Sequence, residues 1–231
     1  GLKVTEIMPK GPADKLKTRI SPGEYILSID GKEVSLTEDL YALLQDKAGK
    51  SLEVAVNTKP TKEGSRMLKM KPISGGEWNN LEYEARVKRQ RQRVDRFSEG
   101  RLGYMHIRGM DQPSLMRFVR EISEPSMIAK EGLVLDIRGN GGGNTHDDLL
   151  NILSRKVYGF TQPRDGLRQT QPEFAWTKPI VLLIDEESYS DAEIFPAGFR
   201  SLGLGKIIGV PTPGYRSEEH TSELQSHSDL V

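Results

Sequence analysis

Two short segments hold residues whose types and spacing could do chemistry. The first runs Asp136-Ile137-Arg138-Gly139-Asn140-Gly141-Gly142-Gly143-Asn144-Thr145, and the second Asp185-Glu186-Glu187-Ser188-Tyr189-Ser190-Asp191-Ala192-Glu193-Ile194-Phe195. In the first, glycines between an apolar run and a helical stretch let the backbone adopt positive φ and turn several N–H groups one way, which suits an anion. A structural turn or a phosphate cradle could use the same letters. Neither G-x-x-x-x-G-K-[ST] nor G-x-G-x-x-G is present, however, and the nearest downstream lysine is Lys156. In the second segment an apolar run ends in acids, and a small hydroxyl residue precedes a helix. Ser190 reads most simply as an N-cap, with Asp191 and Glu193 at the helix's positive end. The same geometry can expose a nucleophilic hydroxyl beside the next residue's N–H, as in the strand-to-helix elbow of acyl transfer. The two readings exclude each other only if the hydroxyl is locked into the cap.

Composition narrows the field. The 231 residues carry 33 Lys and Arg against 33 Asp and Glu, so no bulk charge recommends nucleic acid or an acidic membrane. With no Cys, disulfides, thiolate metal sites and a cysteine nucleophile are excluded, and a nucleophile must be oxygen or nitrogen. No apolar run reaches the roughly 18 residues needed to span a bilayer. The first ten residues lack the charged-then-apolar order of a signal peptide. Because the chain begins at Gly1, it is expected to be part of a longer protein.

The two segments need a scaffold. From residue 101 the apolar runs LGYMHI, GLVLDIR, PIVLLID and KIIGV alternate with helical stretches over 113–130, 145–155 and 190–202. Continuous apolar strands separated by helices predict parallel pairing in an α/β layer, with LVLDIR and VLLID ending on one edge. Both chemical segments leave the sheet at that edge.

The residues before it read differently. LKVTEIM, PKGPADK and EYILSIDGKEV are followed by a helix over 37–44, capped by Ser35 or Thr37, and then LEVAV. Tyr25, Leu27 and Ile29 alternate as a half-buried strand should, and Asp30-Gly31 marks a tight turn. The arrangement resembles a PDZ domain of the bacterial permuted kind, which implies capture of a peptide as an added strand. Residues 76–100 form a polar helix whose cations (Arg86, Lys88, Arg89, Arg91, Arg93, Arg96) are interrupted by Glu82, Glu84 and Asp95 and lack interleaved aromatics. They read as a solvated linker and not a nucleic-acid platform.

Taken in order, NGGG, SDAEIF and LGLGKIIG resemble the catalytic domain of the tail-specific peptidases of family S41, in particular the tricorn branch. The resemblance implies an α+β chain: a PDZ-like domain over 1–75, a linker helix over 76–100, and an incomplete crotonase/ClpP-like α/β catalytic domain over 101–215. It implies hydrolysis of peptide bonds in oligopeptides by Ser190, with the backbone N–H groups of Gly143 and Asp191 as the oxyanion hole. Phe160 and Thr161 would lie in the loop that shapes the first specificity pocket. They carry no charge, so a preference for basic residues is not expected. No cofactor or metal is implied. The partners implied are peptide substrates and further copies of the chain, a hexamer in the family, in the cytoplasm or alternatively the periplasm or outside the cell. Nucleic acid and membrane are not expected.

The resemblance also implies a catalytic His from before the PDZ domain and an orienting Glu beyond GVPT. His146 is the only local substitute, and its more economical role is to cap or pack the following helix; His106 lies within a strand. This chain alone is therefore expected not to turn over. The rival reading is a PDZ-containing peptide-binding protein with a dead catalytic domain. The Ser-, Glu- and His-rich stretch 216–231 resembles a translated sequencing adaptor and is set aside as an artefact, with His220 and His227.

Overall fold

In a computed structural model, residues 1–214 are described except 36, 38 and 167. The stretch set aside from 216 onward lies outside them. The chain divides into two compact units, Gly1–Arg89 and Gln90–Val231.

In the first unit β1 (Leu2–Lys3), β2 (Tyr25–Ile29), β3 (Lys32–Glu33), β4 (Leu52–Asn57) and β5 (Arg66–Met70) form one sheet in the order β1-β2-β4-β5, with β3 on β2, and every pairing is antiparallel. The hairpin β2–β3 closes on Asp30 and Gly31, both at positive φ (48° and 78°), the two-residue turn expected from their sequence. Ile20, Ile29, Val34, Leu52, Val54 and Val56 make the core. The alternation expected in β2 is broken: Leu27, Ser28 and Ile29 are all buried and Tyr25 only half so. A register shift against β4 between Ile26 and Ser28 is the cause. The helix expected over 37–44 is shorter, α1 (Leu40–Leu44), because Asp39 and not Ser35 or Thr37 caps it, accepting from the Tyr41 N–H at 2.9 Å.

Helix α2 (Gly75–Phe97) begins with a reciprocal capping box. The Ser74 N–H donates to the Glu77 carboxylate at 2.8 Å, and the Glu77 N–H to the Ser74 hydroxyl at 3.2 Å. Beyond its C-terminus Glu99 and Gly100 both take positive φ.

In the second unit β6 (Leu102–His106), β7 (Gly132–Asp136), β10 (Ile180–Ile184) and β11 (Lys206–Gly209) form a parallel sheet in the order β11-β10-β7-β6. Between β6 and β7 one helix was expected over 113–130. The chain instead forms α3 (Gln112–Ile122) and α4 (Pro125–Ile128), because Pro125 lacks an N–H to continue a helix and is at home in a first turn. Helix α5 (His146–Leu153) follows β7, and a separate two-stranded sheet, β8 (Gly159–Thr161) with β9 (Gln169–Gln171), precedes β10. Helix α6 (Asp191–Ser201) lies between β10 and β11. Gly198 sits so near α5 that a Cβ there would strike the Leu150 side chain. The core gathers Met105, Leu135, Leu149, Leu182, Phe195 and Phe199, among others. Among the described residues no helix is long and apolar enough to cross a membrane.

Candidate active site

Strands β7 and β10 are neighbours and run parallel, so the segments after them emerge side by side. Asn140, fully buried, organises the first of these. Its side-chain amide donates to the Ile107 carbonyl at 3.0 Å, its side-chain oxygen accepts from the Gly142 N–H at 2.9 Å, and its carbonyl accepts from the Tyr189 N–H at 3.0 Å. One residue thus shapes the glycine loop and fastens it to the serine turn. Gly142 has φ 91° and Gly143 φ 150°; a Cβ on Gly143 would collide with the Met110 carbonyl. The loop is held there by Met110, whose N–H donates to the Gly142 carbonyl (2.9 Å) and whose carbonyl accepts from Asn144 (2.7 Å).

After β10, Asp185 accepts from the Gly139 N–H at 2.9 Å, and the buried Ser188 hydroxyl donates to the Ile137 carbonyl at 3.2 Å. Ser190 follows at φ 53° and ψ −118°, a left-handed conformation that a non-glycine residue holds only where its surroundings impose it. Its side chain is exposed. Ser190 and Glu193 form a capping box, but the Glu193 N–H is also served by the Ser190 carbonyl at 2.8 Å. A hydroxyl that accepts from one amide keeps its own proton and a second lone pair, so capping does not remove it from chemistry.

The two segments meet. A Cβ on Gly142 would stand 2.7 Å from the Tyr189 carbonyl oxygen, so only glycine fits against the turn. Among the described residues neither the Gly143 nor the Asp191 N–H has a hydrogen-bond acceptor. Asp191 opens α6, where the helix dipole adds partial positive charge.

His146 opens α5 and is tied to the same turn. Its N–H donates to Asp191 Oδ2 at 3.0 Å, its Nδ1 faces Oδ1 of that carboxylate, and its Nε2 lies 3.3 Å from Asp147 Oδ1. Both ring nitrogens therefore face carboxylates, while the backbone N–H supplies the hydrogen bond that ties His146 to the turn. His106 ends β6, buried, with Nε2 3.0 Å from the Arg138 carbonyl oxygen. Phe160 and Thr161 are not part of the serine turn. They sit in β8, exposed, with the Arg168 guanidinium 3.7 Å above the Phe160 ring, so a cation accompanies two residues that carry no charge of their own.

Three contributors escaped the sequence reading: the Asn140 side chain, the close approach at Gly142, and Glu193 as more than a dipole partner. The spacing N-x-G between a strand and a helix was a usable signal for the first, since Asx residues bond two positions onward.

The sequence model of peptidase family S41 matches residues 101–231, and that of the tricorn protease PDZ domain matches residues 8–75. Tricorn protease homolog 1 of Streptomyces coelicolor is 34% identical over 84% of this chain and 18% of its own length. Tricorn protease of Thermoplasma acidophilum is 31% identical, with the same coverage of each, 84% and 18%. The crystal structure of the tricorn protease superposes with a TM-score of 0.68 at 32% identity, over 81% of this chain and 18% of that one. The chain thus spans about a fifth of these relatives (18%).

Proposed function

Because this chain belongs to peptidase family S41, with a tricorn-type PDZ domain before the family's catalytic domain, we propose that it is the nucleophile-bearing part of a serine peptidase acting on oligopeptides. Ser190 is the nucleophile, and the N–H groups of Gly143 and Asp191 are the oxyanion hole. The observation that carries this reading is the left-handed backbone of an exposed Ser190 at the entry to α6, with Gly142 pressed against it.

The chemistry follows from where charge develops. As the Ser190 oxygen bonds to a peptide carbonyl carbon, negative charge gathers on the carbonyl oxygen. Two amides with no other acceptor stabilise it without reorganising, and losing one such donor costs about 100- to 1,000-fold in rate. The serine proton must pass to a base. With both His146 nitrogens turned to carboxylates, that base is assigned to another part of the intact protein. Phe160 and Thr161 are proposed to meet a substrate side chain, where Arg168 would favour apolar or acidic residues over basic ones. Self-assembly and a cytoplasmic location rest on the family resemblance.

The test is a fluorophosphonate probe on the intact protein. Labelling at Ser190, abolished by Ser190→Ala, is expected. An unlabelled serine beside intact peptide binding would leave the PDZ-containing binding protein as the reading. Peptide cleavage by residues 1–231 alone would refute the assignment of the base elsewhere.

A further inference from the structure

Glu193 is 2% exposed, and each of its carboxylate oxygens takes one backbone amide. Oε2 accepts from the Ser190 N–H at 3.2 Å, and Oε1 accepts from the Gly214 N–H at 2.6 Å. A buried carboxylate is tolerated only where donors replace its water, and here both donors belong to irregular backbone that no strand or helix ladder serves. Capping α6 does not require this, because an N3 glutamate caps equally well from the surface. The burial and the second amide therefore point to another role.

We propose that Glu193 is a positioning residue for the Ser190 hydroxyl. It holds the nucleophile's backbone in its left-handed conformation and locks that conformation to the segment following β11. The proposal rests on the serine-nucleophile reading above. A non-glycine residue at φ 53° is strained and relaxes unless something opposes it. Relaxation of Ser190 would swing its N–H away from Oε2, leaving a buried carboxylate with one of its two donors lost. Glu193 opposes that rotation, and the direction of the Ser190 Cα–Cβ bond, hence the reach of the hydroxyl, is set by the same φ. Because Oε1 is committed to Gly214, any displacement of the chain after β11 is felt at the nucleophile.

The experiment compares the intact wild-type protein with Glu193→Gln and Glu193→Ala. It measures the rate of fluorophosphonate labelling at Ser190, kcat and KM on a peptide, and hydrogen exchange by mass spectrometry on peptides containing Ser190 and Gly214. For Glu193→Ala, labelling and kcat are expected to fall about 10- to 100-fold with KM near its wild-type value, and exchange to quicken in both peptides. Glu193→Gln keeps one acceptor and is expected to fall between; it also decides the matter if the alanine variant does not fold. A labelled wild type whose folded variants react at the same rate overturns the positioning role. So does an effect on KM or melting temperature alone. A wild type that is not labelled at all overturns the nucleophile reading first, and the two failures are distinguished by that control.

Discussion

Gly142 lies so close to Ser190 that a Cβ on it would stand 2.9 Å from the serine's own Cβ and 3.1 Å from the Asp191 nitrogen. The glycine loop and the serine turn therefore touch through backbone, beside the amide proposed as an oxyanion donor. Gly142→Ala would add a methyl there at a φ of 91°, which alanine adopts only under strain. Fluorophosphonate labelling of Ser190 in the intact protein is expected to fall at least about 100-fold, the scale of a lost oxyanion donor. Circular dichroism is expected to stay near wild type. Labelling at the wild-type rate would show that the loop has no part in the reaction.

Replacing Ser190 should separate strain from chemistry. Ser190→Ala and Ser190→Gly both remove the hydroxyl, yet only glycine adopts φ 53° freely. Ser190→Gly is expected to unfold at higher denaturant than Ser190→Ala, by about 1 kcal/mol. Equal midpoints would mean that the turn stores no strain.

Asp191 combines an amide with no acceptor among the described residues and a carboxylate that accepts from the His146 N–H. Asp191→Ala keeps the amide but frees the start of α5, which follows the glycine loop directly. A displacement on the order of 1 Å there is expected to slow labelling about 10- to 100-fold. Asp191→Asn, which keeps an acceptor for the His146 N–H, is expected to lose less. If the two variants react alike, the tie to His146 does not set the site's geometry.

Acid should weaken both units. Burial alone would raise the Asp136 pKa, but the Arg138 guanidinium, the Arg138 N–H and the Tyr104 hydroxyl outweigh it and hold the carboxyl below its usual range. In the first unit the Arg66 guanidinium does the same to Glu24. A carboxyl whose folded pKa is depressed adds stability that is complete above its unfolded value, about 4, and is lost as pH falls through the folded value. Melting temperatures of both units are thus expected to drop below about pH 4. Asp136→Asn should flatten that limb for the second unit and cost about 1.5–3 kcal/mol at neutral pH, since Arg138 and Tyr104 lose a charged acceptor. An unchanged acid limb in Asp136→Asn would place the linkage elsewhere.

The sheet and its helices were legible because their signals are periodic and local. LVLDIR, VLLID and KIIGV became neighbouring parallel strands, and Asp30-Gly31 became the expected two-residue turn. What resisted reading was competition between adjacent candidates. Ser35, Thr37 and Asp39 are all adequate caps by type, and it is Asp39 that caps α1. Pro125 offered a break that a long amphipathic run concealed. At the site, Ser190 and the glycines stood out by type, whereas Asn140 and Glu193 act through partners distant in sequence (Ile107, Tyr189 and Gly214), which no local pattern encodes.

Gly198, eight residues past Ser190, bears on the serine turn without touching it. Since the missing side chain lets α6 lean on Leu150 of α5, the gap between those helices works as a spacer of fixed gauge beneath the Ser190 turn. A bulkier residue at 198 would act as a wedge, prising α6 outward and carrying the serine off its glycine rest. The geometry of the Ser190 turn is thereby tied to a contact between two helices well along α6 from it.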